Sequence, residues 1–168
     1  VAFDLADNDL TPKNLTITGT INADAAASNR RFFVSTHFGL IEFGSSIGDT
    51  EALADFGVND SSSTNNTPPT IVLGGDISVT QANGIDSSVD LEGNVLLEDD
   101  VTINIADKRL SVLGSINAYT GAAGTALVIN STGSTQIEGA IGDTNTMTDF
   151  ITTLTTNAGG TWGIQGNV

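Results

Sequence analysis

The chain has no cysteine and a single histidine. It can hold no disulfide and no thiolate nucleophile or metal ligand, and one imidazole cannot build a multi-histidine zinc centre. Absent cysteine says nothing about compartment, since cysteine-free chains occur inside and outside cells. Basic residues are also scarce, with five Lys and Arg against twenty Asp and Glu and a formal charge of −15. Nucleic-acid binders neutralise phosphates with Lys and Arg, so this balance argues against a nucleic-acid partner, and it excludes a basic membrane-surface helix. No apolar run approaches the length of a membrane span, and Val1 opens the chain without the basic region and apolar core of a signal sequence. The sequence therefore reads as a mature or excised segment.

What is present points to strands. Of 168 residues 39% are apolar, enough for a core, while Gly, Ser, Thr and Asn together supply 71 residues. Thr, Val and Ile favour strands, and Gly, Asn and Asp favour turns, so the expected class is all-β. Short apolar runs recur about every ten residues, among them Leu15/Ile17, Phe32/Val34, Ile41/Phe43, Ile71/Leu73, Val101/Ile103/Ile105 and Leu127/Ile129. Most alternate apolar with polar residues, the period of half-buried strands. Turn residues separate them, as at Gly74-Gly75-Asp76, Glu92-Gly93-Asn94, Asp99-Asp100 and Ser131-Thr132-Gly133. Two stretches, Asp49 to Phe56 and Asp143 to Phe150, are the only places where a single helical turn or short helix is expected, each after an Asp or Thr N-cap.

The chain also repeats itself. Leu15 to Ala23 reads LTITGTINA and Leu110 to Ala118 reads LSVLGSINA, at an offset of 95; Ile47 to Phe56 and Ile141 to Phe150 share six of ten residues at an offset of 94. This order and spacing indicate a tandem unit of about 95 residues, a first unit over 1–95 and a second, truncated unit over 96–168, continuous with the first. Thr161 to Val168 resembles Thr70 to Ile77, so the chain reads as cut from a longer array. Asn59 to Pro69, NDSSSTNNTPP, has no counterpart of equal length and reads as an inserted surface loop. Two architectures fit. A parallel β-solenoid would stack strands at about 4.8 Å and make six to eight coils, a rod of roughly 30–40 Å. Tandem immunoglobulin-like β-sandwiches of 95 residues are the alternative. The low aromatic content, 5%, favours the thin core of the solenoid.

Val89 to Ala118, VDLEGNVLLEDDVTINIADKRLSVLGSINA, and Ala126 to Val168, ALVINSTGSTQIEGAIGDTNTMTDFITTLTTNAGGTWGIQGNV, resemble the β-strand repeats of giant bacterial surface proteins, the filamentous-haemagglutinin-like and autotransporter-passenger adhesins. The resemblance implies a right-handed parallel β-helix, export to the bacterial cell surface or medium, and a role in adhesion or matrix. It implies as partners neighbouring repeats of the same protein or copies of itself, and cell-surface glycans or matrix. The Asn59 to Pro69 insertion and Arg30-Arg31-Phe32-Phe33 depart from the family pattern, and its export domain is not visible. The expected function is a non-catalytic stalk or fibre segment of an extracellular adhesin. A self-assembling filament subunit joined by strand addition and a carbohydrate-binding or carbohydrate-cleaving β-helix are the alternatives.

Candidate sites are few. Asp99 and Asp100, with Asp90, Glu92 and Glu98 nearby, form the densest carboxylate group, which acid–base cleavage of a polysaccharide would need; a solvated turn accounts for it equally in composition and is commoner. No cofactor is expected; the candidate to be weighed is calcium, through Asp49 and Asp143, which recur between the two units, and Asp55 and Asp149, which recur with them. Turn capping by these aspartates competes with that reading, and no D-x-[DN]-x-[DN]-G loop is present. His37, Arg30 and Arg31 form the only basic patch, to be read as a ligand site if the groups converge and otherwise as exposed edge charges.

Overall fold

Backbone groups in a strand must pair, and the short strands of this chain find their partners one turn further along rather than in a neighbouring hairpin. The computed structural model describes residues 2–5, 12–26, 28–37, 39–60, 68–80, 88–106, 109–119, 125–142, 151–157 and 159–166. Among these it is all-β, with no helix, and every strand pairing is parallel. The architecture is a parallel β-helix with three sheets. Sheet A carries seven strands: β1 (Ala2–Asp4), β3 (Arg31–Thr36), β5 (Asp55–Asp60), β8 (Ser88–Leu91), β11 (Arg109–Val112), β14 (Ser134–Ile137) and β16 (Trp162–Ile164). Sheet B stacks β2 (Leu15–Ile17), β4 (Leu40–Phe43), β6 (Thr70–Leu73), β9 (Asn94–Leu97) and β12 (Ile116–Ala118). Sheet C stacks β7 (Ile77–Val79), β10 (Val101–Ile105), β13 (Thr125–Ser131) and β15 (Ile151–Thr156). The immunoglobulin-like alternative is excluded, because sandwiches of that kind pair their strands antiparallel. Seven strands at about 4.8 Å place the ends of sheet A roughly 29 Å apart.

Alternation sets which residues enter the core. Along β10 and β13 the odd-numbered residues are buried and their neighbours are not. In-register stacking then turns each inward position into a column of like side chains. Ile21, Ile47, Ile77, Ile103 and Ile129 lie one above another on sheet C. One apolar cluster extends from Ala23 to Ile141. An aromatic cluster lies within the core: Phe32 stacks on Phe56 in the adjacent coil with ring centroids 6.2 Å apart, and Phe43 from sheet B meets Phe56 edge-on at 5.2 Å. Two inward hydroxyls, Thr125 and Thr135, are 4% and 1% exposed and have no hydrogen-bond partner among the described residues.

The expected helical turn at Asp49 to Phe56 is not formed. Leu53 bridges to Val79, and Asp55 and Phe56 begin β5. Eight residues supply too few intrahelical hydrogen bonds to offset nucleation, whereas the extended form buries Leu53 and Phe56 in the core. Asp143 to Phe150 lies outside the described residues. Asn59 and Asp60, expected in the inserted loop, are the last residues of β5.

The repeated blocks do not occupy equivalent places. Leu15 lies on sheet B and Leu110 on sheet A; Ile47 bridges to sheet C and Ile141 to sheet B; Ile71 lies on sheet B and its counterpart Trp162 on sheet A. Each later copy sits one face earlier in the A–B–C cycle. The block therefore encodes a local unit of strand, glycine corner and strand, which any pair of adjacent faces can use. Position 95 itself falls within β9, so backbone pairing and core pass through it without interruption.

Corners are narrow, and glycine makes them possible. Between sheets A and B, Gly93, Gly114, Gly139 and Gly166 stack backbone on backbone: a Cβ on Gly114 would lie 2.3 Å from the Gly93 carbonyl oxygen, and one on Gly139 2.4 Å from the Gly114 carbonyl carbon. Gly114→Ala is expected to push these coils apart at a cost of about 1–3 kcal/mol. Thermal melting followed by circular dichroism should show the transition lowered by several degrees with the β signal retained; an unchanged midpoint would refute the close-packing account.

Candidate functional site

Polar residues on the outside of the coils mostly bind the coil beside them. At the B–C corner Asp76 Oδ1 accepts from the Thr102 N–H at 2.7 Å, and one coil later Asp100 Oδ1 accepts from the Ala126 N–H at 2.7 Å. At the A–B corner Asn14 and Asn94 do the same for Leu40 and Ser115 at 3.0 and 3.2 Å. Short Asx side chains suit this role because they reach a backbone donor without leaving the corner. Asp99 closes its own turn by accepting from the Asp100 N–H at 2.8 Å. The carboxylates singled out at 98–100 are thus placed in a corner, with Asp99 and Asp100 committed to backbone donors.

The calcium candidates fall apart in space. Asp49 follows the Ile47 bridge of sheet C and caps its own turn, with Oδ1 accepting from the Thr50 N–H at 2.7 Å and from the Thr50 hydroxyl at 3.3 Å. Asp55 starts β5 on sheet A. Asp143 and Asp149 lie outside the described residues. Among the described residues no three His, Cys, Asp or Glu side chains group in a way that could hold a metal ion.

Asp55 has the most unusual surroundings. It is 8% exposed on the outer row of sheet A, in register with Arg31 on one side and Ser88 on the other. The Ser88 hydroxyl lies 2.5 Å from Asp55 Oδ1 and 2.9 Å from Asp90 Oδ2, and the Ser88 N–H also donates to Asp55 at 3.2 Å. Asp90 is paired with Arg109 at 2.5 Å, whereas Arg31 stands 3.9 Å from Asp55. One hydroxyl carries one proton and cannot serve two ionised carboxylates at once. Burial raises the Asp55 pKa, with the Asp90 charge adding to it, against the opposing pull of Ser88 and Arg31. The single Ser88 proton therefore couples the two carboxylates, of which Asp90 is balanced by Arg109.

The basic patch does not converge. Arg30 is held by Asp24 through two hydrogen bonds, at 2.8 and 2.5 Å, and the hydrogen bond to Arg30 keeps the Asp24 carboxyl down at about 2. Arg31 opens β3 and His37 follows its far end, so the strand separates them by roughly 20 Å. Nor is β3 an edge, since β1 and β5 pair on either side of it.

An outer feature of sheet C was not foreseen. Ser78, Asn104, Asn130 and Asn157 stack in register and bond in sequence: Asn157 Nδ2 donates to Asn130 at 2.9 Å, Asn130 to Asn104 at 2.8 Å, and Asn104 to Ser78 at 3.3 Å. A second outward row, Thr80, Ala106 and Thr132, runs beside this ladder, and the two rows wall an open groove of about 370 Å³ with Val79 and Ile105 among its floor residues. Asn spacings of 26 and 27 were the available signal. They stand out only once the length of a coil is known.

Raising the pH removes the proton that Asp55 holds more tightly folded than unfolded. Its stabilising contribution is complete at acid pH, below the unfolded pKa, and is lost as pH rises through the elevated folded value. Asp55→Asn keeps the site neutral at every pH. The variant should match the wild type in acid and melt about 2–4 °C higher at pH 8, on the order of 1 kcal/mol. A constant difference between the two proteins across pH 3–8 would argue against proton sharing.

No family model, curated protein or solved structure matches the chain.

Proposed function

We propose that the chain is a structural stalk or fibre segment of a large bacterial extracellular adhesin, non-catalytic and displayed at the cell surface. The observation that carries this reading is the unbroken run of three parallel sheets around one apolar column, with outer polar side chains that bind successive coils to each other. Such a molecule holds its two ends a fixed distance apart. Length grows by adding coils, each presenting the same backbone ladder to the next, and the acidic surface opposes lateral association. The resemblance of Val89 to Ala118 and of Ala126 to Val168 to surface-adhesin repeats supplies the setting.

A second reading, assembly of copies end to end, is favoured by partly buried apolar residues near both ends of the column: Leu5, Leu15, Ile17 and Ile21 at one, Ile151, Leu154, Trp162 and Ile164 at the other. Strand addition from a second copy would cover these residues.

Antibodies raised against the purified chain are expected to label intact producing cells. Immunogold electron microscopy checks this directly, and label that appears only after permeabilisation would overturn the surface role.

A further inference from the structure

We propose that the groove beside the asparagine ladder on sheet C binds a neutral, extended glycan running along the axis of the β-helix. The inference specifies a partner for the surface role above and rests on that role for its biological setting.

The ladder leaves hydrogen-bonding capacity pointing outward. An asparagine amide has two N–H groups and an oxygen with two lone pairs. Asn104 and Asn130 each use one N–H and one lone pair on their ladder neighbours, so each retains one donor and one acceptor. The same pair of groups recurs in these two adjacent coils, about 4.8 Å apart. That period is close to the length of one pyranose residue in an extended β-linked chain, so successive sugars could meet successive asparagines in the same way. The groove, about 370 Å³, falls in the size range of small-ligand sites.

Charge selects among polymers. Among the described residues that line the groove none is ionisable, although the chain as a whole carries −15. Cationic ligands have the acidic corners to bind, and anionic polymers are repelled by the field of the whole molecule. A peptide strand would need an unpaired sheet edge, but β10 and β13 already have a partner on both sides. What remains is an uncharged polymer rich in hydroxyl groups. Two small residues, Ala52 and Ala106, keep the channel open where larger side chains would fill it.

The test uses the purified chain with cellohexaose, mannohexaose and chitin hexasaccharide as neutral probes and a galacturonate hexamer as the acidic one. Titration calorimetry should detect binding of at least one neutral probe, with at least tenfold weaker binding of the acidic one. Side-chain amide resonances of Asn104, Asn130 and Asn157 should shift on addition of the bound sugar, a readout that needs no variant. Ala106→Phe, at an exposed position on the groove wall, should weaken binding at least tenfold with the melting curve preserved. Tyr119→Ser, which removes an exposed aromatic elsewhere, should leave binding unchanged. No binding of any neutral probe at millimolar concentration, unshifted asparagine amides, or undiminished binding by Ala106→Phe would each overturn the proposal. These results are independent of cell-surface labelling, so failure here leaves the stalk reading intact.

Discussion

Each strand in this molecule takes its backbone partner from the next turn of the same chain, 21 residues on in the case of Ser88 and Arg109, and 33 in the case of Asp55 and Ser88. Turns may lengthen or shorten outside the sheets, but register within them is fixed, because a slip of one residue would reverse inside and outside along a whole strand. From this pairing follow the isoleucine column, the stacked phenylalanines and the asparagine ladder. Like residues lie over like because the ladder places them there. The glycine corners follow as well, since backbones stacked at strand spacing leave no room for a Cβ where the chain bends.

Local pattern was enough to find many of the strands, though not β5, β9 or β14. The alternation of Val101/Ile103/Ile105 and Leu127/Ile129, and the turn residues at Gly74 to Asp76 and Asp99-Asp100, mark strand and corner correctly because both depend on near neighbours in sequence. The segment Asp49 to Phe56 misled for the same reason. Its three-residue spacing of Leu53 and Phe56 fits a helix as well as it fits an irregular passage into β5, and the choice was made by Val79, Arg30 and the phenylalanine cluster, all distant in the chain. Asp55 looked like a ligand in a recurring block. Nothing near it in sequence announces Ser88 or Asp90, which reach it only through pairing across 33 residues. The asparagine ladder was hidden similarly, behind coil lengths that vary too much to read as a short period.

The acidic excess has two distinct environments. Corner residues such as Asp76 and Asp100 remain solvated while binding a neighbouring coil's N–H, so their charge both fastens coils and repels other molecules. On sheet A, Asp55 is shielded, its pKa is raised by that burial, and it shares a serine with Asp90. A thin solenoid leaves acids charged where water reaches them and makes ionisation harder where it covers one.

The displacement of each repeated block by one face gives the molecule a helical order in its encoding as well as in its backbone. A side chain placed on one face by one copy of the block appears a third of a turn away in the next. Features written into the repeat would then wind around the rod like the stripe of a barber's pole. A partner lying straight along one side would meet a given repeat position only once per full circuit, whereas features tied to a single sheet, such as the asparagine ladder, stay in line.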